Sequence, residues 1–108
     1  MNKNMIETEG DIISNDADIE TAAKSLKAMA HPLRLKILCS IGESEYSVQD
    51  IVDIVGTSQS NISQHLSIMR DKEHLISSKE ANKVFYRIAD QRTVQLIKMM
   101  HGIFCNQN

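Results

Sequence analysis

Apolar residues in this chain keep two rhythms. From Ile19 to Phe104 most recur three or four positions apart, as on a helix that buries one face, whereas Val84, Tyr86 and Ile88 alternate with Phe85 and Arg87 as on a strand. The first helical stretch opens at Asp16 or Asp18, with an aspartate placed to cap it. It sets Ile19, Ala22, Ala23 and Leu26 on one face and ends near Ala30. A second begins at Pro32, whose missing donor is harmless in a first turn, and runs to about Ile41 before Gly42 stops it. Leu35, Leu38 and Ile41 face the expected core, with Cys39 near them, and Gly42 to Tyr46 reads as a loop. Ser47 then caps a short helix whose Val48, Ile51, Val52 and Val55 point inward. Gly56 can take the left-handed conformation that ends it, and Ser58 caps the next.

That next helix, within Thr57 to Arg70, carries an apolar stripe of Ile62, Leu66 and Met69. Around the stripe lie Gln59, Ser60, Asn61, Ser63, Gln64 and His65, short or amide-bearing side chains of the kind that reads base edges in a major groove. Two helices joined by a short glycine-containing turn, the second polar at its start, describe a helix-turn-helix. Leu75 to Lys79 and Val84 to Ile88 follow as a hairpin turning at Ala81 and Asn82, and its Lys79, Lys83 and Arg87 suit backbone phosphates, as does Arg70. In the last stretch Val94, Leu96, Ile97, Met99, Met100, Ile103 and Phe104 are too many for one buried face, which implies the same helix of a second subunit. The expected fold is therefore mainly α with a small β-hairpin wing, a winged helix-turn-helix paired with a second copy through its last helix.

Charge modifies this picture. The 108 residues carry a net charge of -2, but residues 1–20 hold Lys3 against six carboxylates, which leaves 11 basic and 8 acidic groups in the remainder. We expect residues 1–16 to form a flexible acidic arm and residues 17–108 a mildly basic DNA-binding and dimerisation domain. No apolar run approaches a membrane span and the acidic start is unlike a signal peptide, so a cytoplasmic location is expected. Cys39 and Cys105 are not a C-x-x-C pair, which argues against a thiol oxidoreductase; no enzyme activity is expected and no cofactor is called for. In a reduced compartment a bond between them would be conditional.

The order of elements, with A-M-A-H-P-L-R-L-K-I-L, S-Q-S-N-I-S-Q-H-L-S-I-M-R and K-V-F-Y-R-I, resembles the ArsR family of dimeric winged-helix repressors over residues 18–105. The resemblance implies a homodimer built on the first and last helices, bound to an inverted-repeat operator and released by an inducer. The chain departs from the family at Ala81, where many members carry glycine. The paired cysteines of the arsenic and cadmium sensors are absent from V-Q-D-I-V-D-I-V, and the last helix keeps only His101 of the zinc sensors' ligands, so no familiar metal site is expected. The placement of Cys39 and Cys105, after I-L-C and H-G-I-F-C, resembles the BigR, SqrR and HlyU branch. This implies sensing of persulfide or other reactive sulfur through an intramolecular di- or polysulfide. His101, four residues before Cys105, would favour its thiolate. Cysteines that sense nothing, or a response to metal through His101, Cys39 and Cys105 or to general oxidants, are the alternatives.

Overall fold

The structure, a computed structural model, describes residues 15–105, so the acidic arm falls almost wholly outside the described residues. Helix α1 spans Asp16–Met29, and its cap is Asn15 rather than an aspartate. The Asn15 side chain accepts from the Asp18 backbone N–H at 3.2 Å and donates to the Asp18 carboxylate at 2.8 Å. Helix α2 (Pro32–Ile41) starts with Pro32 at its first turn, as expected, but its cap is the His31 ring, whose Nδ1 accepts from the Leu33 N–H at 3.2 Å.

Strand β1 (Tyr46–Ser47) leads into α3 (Val48–Val55). Ser47 and Asp50 close a reciprocal capping box, and those bonds from Ser47 hold the Asp50 carboxyl below its ordinary pKa. Gly56, at φ 84°, ends α3 in the left-handed region. Ser58 then caps α4 (Gln59–Asp71), accepting from the Asn61 N–H at 3.1 Å. Strands β2 (Leu75–Glu80) and β3 (Lys83–Ile88) follow, and α5 (Gln91–Phe104) closes the chain.

The sheet has the order β1-β3-β2 and is antiparallel throughout. Tyr46 and Ser47, expected at a loop end and a helix cap, also pair with Tyr86 and Phe85 and add a third strand to the hairpin. Two residues are too few to show a period. Glu80 opposes Lys83 across a two-residue turn in which Ala81 takes φ 52°, the strained conformation that glycine would adopt freely.

The core joins Ile37, Leu38 and Ile41 of α2 to Ile51 and Val55 of α3, Ile62, Leu66 and Met69 of α4, Leu75, Tyr86 and Ile88 of the sheet, and Val94 and Ile97 of α5. Each fully buried aliphatic side chain there contributes about 1.5–3 kcal/mol relative to exposure. Leu35, expected in the core, is only half-buried; Ile37 takes the inward position. The α1 face of Ile19, Ala22, Ala23 and Leu26 is exposed, while Thr21, Ser25, Ala28 and Met29 turn toward the subunit. Ser25 and Thr93 share a buried 3.1 Å hydrogen bond that ties α1 to α5.

Candidate nucleic-acid interface and thiol groove

The apolar stripe of α4 fixes what the helix can offer outward. With Ile62, Leu66 and Met69 fully buried, Ser60 and Gln64 lie on the opposite side, about 100° per residue around the axis, and both are exposed together with Gln59. Ser63 is half-buried beside them. Asn61 and His65 are differently engaged. The Asn61 amide donates to Thr57 Oγ1 at 3.4 Å, bracing the turn before α4. His65 Nδ1 accepts from Arg34 Nε at 3.2 Å, and its ring lies 4.8 Å from that of His31. Burial first, then the charges of His31 and Arg34, push the His65 pKa below its ordinary value. The imidazole is therefore neutral with its remaining proton on Nε2. Arg34 and His31, absent from the sequence-derived site, brace α2 against the middle of α4. Helical periodicity along α2 carries no sign of that partner.

The wing divides its cations by register. Residues directly opposite across an antiparallel pair share a face. Lys83 opposes Glu80 and Arg87 opposes Ile76, so both cations stand on one face with Phe85. Lys79 opposes Val84 and stands on the other. All three are exposed. Lys83 also lines a cleft with Asn82, Val84, Gln49, Val48 and Gln59, which joins the wing to the starts of α3 and α4. Arg70 is exposed at the far end of α4 and pairs with Asp71 at 3.3 Å.

Cys39, near the end of α2, and Cys105, the residue closing α5, meet across a second groove. Pro32, Leu35, Lys36, Ser40 and His101 complete its lining, so the three sequence-derived residues Cys39, Cys105 and His101 share one place. Both thiols are free; Cys39 is half-buried and Cys105 exposed. Burial, and to a smaller extent the nearby Cys105, pushes the Cys39 thiol pKa up. The His101 carbonyl accepts from the Cys105 N–H at 2.8 Å. Among the described residues no three His, Cys, Asp or Glu side chains are gathered as a metal site would need, so His101, Cys39 and Cys105 are not assembled as a ligand set.

Comparison with known proteins places this architecture among regulators. Residues 31–75 match the model of the bacterial regulatory proteins of the arsR family. The HTH-type transcriptional regulator YgaV of Escherichia coli is 38% identical over 90 residues, covering 82% of this chain and 91% of that protein. Among solved structures, HlyU from Vibrio cholerae superposes with a TM-score of 0.75 at 35% identity, covering 82% of this chain and 96% of that one. The transcriptional repressor BigR from Xylella fastidiosa superposes with a TM-score of 0.69 at 27% identity over 97% and 98%.

Proposed function

Because the chain belongs to the ArsR family of bacterial regulatory proteins, we propose that it is a homodimeric repressor whose grip on an inverted-repeat operator is released when reactive sulfur links Cys39 to Cys105. A winged-helix transcription regulator of this family needs no catalytic centre. The single observation that carries the sensing half of the reading is the groove in which the two thiols, 66 residues apart in sequence, stand together.

Dimerisation is supported by what the subunit leaves uncovered. Ile19 and Leu26 on α1 are 46% and 53% exposed, and Met99 and Ile103 on α5 are 65% and 67% exposed. A second copy covering these faces would remove apolar surface from water at about 25 cal/mol per Å². The twofold axis would then set two α4 helices about 34 Å apart, in successive major grooves. Gln59, Ser60, Ser63 and Gln64 of each copy would meet base edges, with Asn61 and His65 holding the helix in place beside them. Lys83 and Arg87 would meet phosphates, with Arg70 and Lys79 further cations near the backbone.

The switch follows from the thiols' surroundings. Cys105, the exposed thiol, as its thiolate attacks the outer sulfur of a persulfide RS–SH; the S–S bond breaks and RS⁻ leaves, so that Cys105 carries –S–SH. The Cys39 thiolate then attacks the Cys105 Sγ and expels HS⁻, closing a disulfide. If Cys39 has itself become a persulfide, its terminal sulfur makes the same attack and a trisulfide closes. The two cysteines are oxidised by two electrons in both cases; the disulfide consumes one donor persulfide, released as RS⁻ and HS⁻, whereas the trisulfide consumes two, one transferred sulfur staying in the bridge and the other leaving as HS⁻. Bridging α2 to α5 ties the α5 end, part of the proposed dimer face, to the helix that braces α4 through Arg34 and His65.

Intact-mass measurement tests the link. After a persulfide donor, each subunit should lose two hydrogens (disulfide), or gain one sulfur less two hydrogens (trisulfide), and reductant should reverse the change. Persistence of two freely alkylatable thiols in every subunit would remove the sensing assignment and leave the DNA-binding one intact.

A further inference from the structure

Among the described residues Lys98 pairs with Glu43 at 2.6 Å, Arg92 with Asp90 at 2.8 Å and Arg70 with Asp71. Other cations, unpaired or paired only at the surface, converge on one cleft. Lys24 and Lys27 of α1, Arg34 of α2, Lys72 at the end of α4 and His74 just beyond it line a cleft of about 420 Å³, together with Ala28. No carboxylate lines it. Among the described residues Lys27, Arg34 and Lys72 make no ion pair, and Lys24 has only an exposed 3.8 Å pairing with Glu20 along its own helix. Arg34 directs its Nε to a neutral imidazole instead of an acid.

The fold converges these groups from separate elements. Glu73 takes φ 67° and closes α4, with the His74 N–H donating to the Met69 carbonyl at 2.8 Å and the Glu73 N–H to the Arg70 carbonyl at 2.9 Å. This reversal carries His74 back under the cleft. Lys24 and Lys27, three apart, share one face of α1. Lys72, Arg34 and Lys24 line the same cleft as His74, and burial first, then their charges, push its pKa below the ordinary value. Like charges gathered without a counter-charge repel one another. A bound anion removes that repulsion.

The geometry points to a phosphate-binding cleft formed by Lys24, Lys27, Arg34, Lys72 and His74, separate from the wing and from the start of α4. Four cationic side chains and an imidazole donor match the several acceptor oxygens of a phosphate group better than a single carboxylate. Two sources share this chemistry: a backbone phosphate of the operator, reached from the far end of α4, or a free phosphorylated small molecule. The operator source rests on the DNA-binding reading above; the free source does not.

Pyrophosphate is titrated into the full-length protein at constant ionic strength in chloride while the His74 ring resonances are followed. In parallel, operator affinity is measured across a salt series. A free-ligand site gives a saturable His74 shift that weakens about tenfold in Lys72→Gln and again in Lys27→Gln. A site for a backbone phosphate instead lowers the slope of log affinity against log salt by about 1.8 in either variant, one contact being lost from each of two subunits. Either result supports the cleft, and the pair identifies the source. An unmoved His74 together with unchanged slopes in both variants overturns it, leaving Lys27 and Lys72 as cations that only stabilise helix C-termini. Wild-type protein that binds no DNA would instead count against the operator reading, and the pyrophosphate titration would decide the cleft alone.

Discussion

The register of the wing separates cations that composition treats alike. Lys83 and Arg87 share a face, and Lys83 lines the cleft that runs to Gln59 at the start of α4; Lys79 stands on the other face of the wing and does not line that cleft. If DNA lies along the cleft side, each lost phosphate contact lowers the slope of log affinity against log salt by about 0.9, and the proposed dimer would lose two per substitution. Lys83→Gln should therefore reduce the slope by about 1.8. Between 50 and 200 mM salt that amounts to about a tenfold smaller loss of affinity than the wild type suffers. Lys79→Gln should leave the slope unchanged. Fluorescence anisotropy with a labelled operator, at four or more salt concentrations, reads both. The reasoning is refuted if Lys79→Gln lowers the slope as far as Lys83→Gln does, because the two faces of the wing would then be equivalent.

Stability offers further tests. His65 and His74 both have pKa values pushed below the ordinary 6.5, mainly by burial. The unfolded chain therefore binds more protons between those depressed values and 6.5. Stability should be complete above 6.5 and fall as pH drops through that window, with a shallower fall in His74→Gln by urea titration. Ala81→Gly should stabilise by about 0.5–1 kcal/mol, the relief of a positive φ less glycine's extra freedom when unfolded, visible as a rise of a few degrees in Tm at matched protein concentration. No change would mean that the wing turn bears no strain. Leu26→Glu, on the exposed α1 face, should yield monomers by sedimentation velocity and lower operator affinity at least tenfold; an intact dimer would exclude this face from the interface.

Much of the architecture was legible because long periodic segments carry their own evidence. The stripe Ile62, Leu66 and Met69 is fully buried as its spacing requires, and Ser47 and Ser58 cap the helices they precede. The surplus of apolar residues on α5 was equally plain: Val94 and Ile97 enter the core while Met99, Ile103 and Phe104 remain exposed. Other features depend on contacts between distant segments. Periodicity groups Ile19, Ala22, Ala23 and Leu26, yet it cannot say that the subunit buries the other side of α1, where Ser25 meets Thr93. Strand β1 is too short to alternate, and its existence is decided by Tyr86 and Phe85, forty residues on.

The site shows the same division. Gln59, Ser60 and Gln64 are exposed on the outer side of α4, as the stripe of Ile62, Leu66 and Met69 requires, but the engagement of Asn61 with Thr57 and of His65 with Arg34 needed coordinates. The meeting of Cys39 and Cys105 was suggested only by a family resemblance. It becomes a physical observation once α2 and α5 are seen to enclose one groove. The basic cleft drew no attention in the sequence because its lysines are scattered from Lys24 to Lys72 among ordinary surface positions.

The most direct test of the account is operator affinity before and after glutathione persulfide, in the wild type and in Cys39→Ser and Cys105→Ser. The wild type should lose at least tenfold in affinity and recover it with reductant, while both serine variants bind as tightly as untreated protein and stay bound. Release of either serine variant to the wild-type extent would show that the Cys39 and Cys105 link does not control DNA binding.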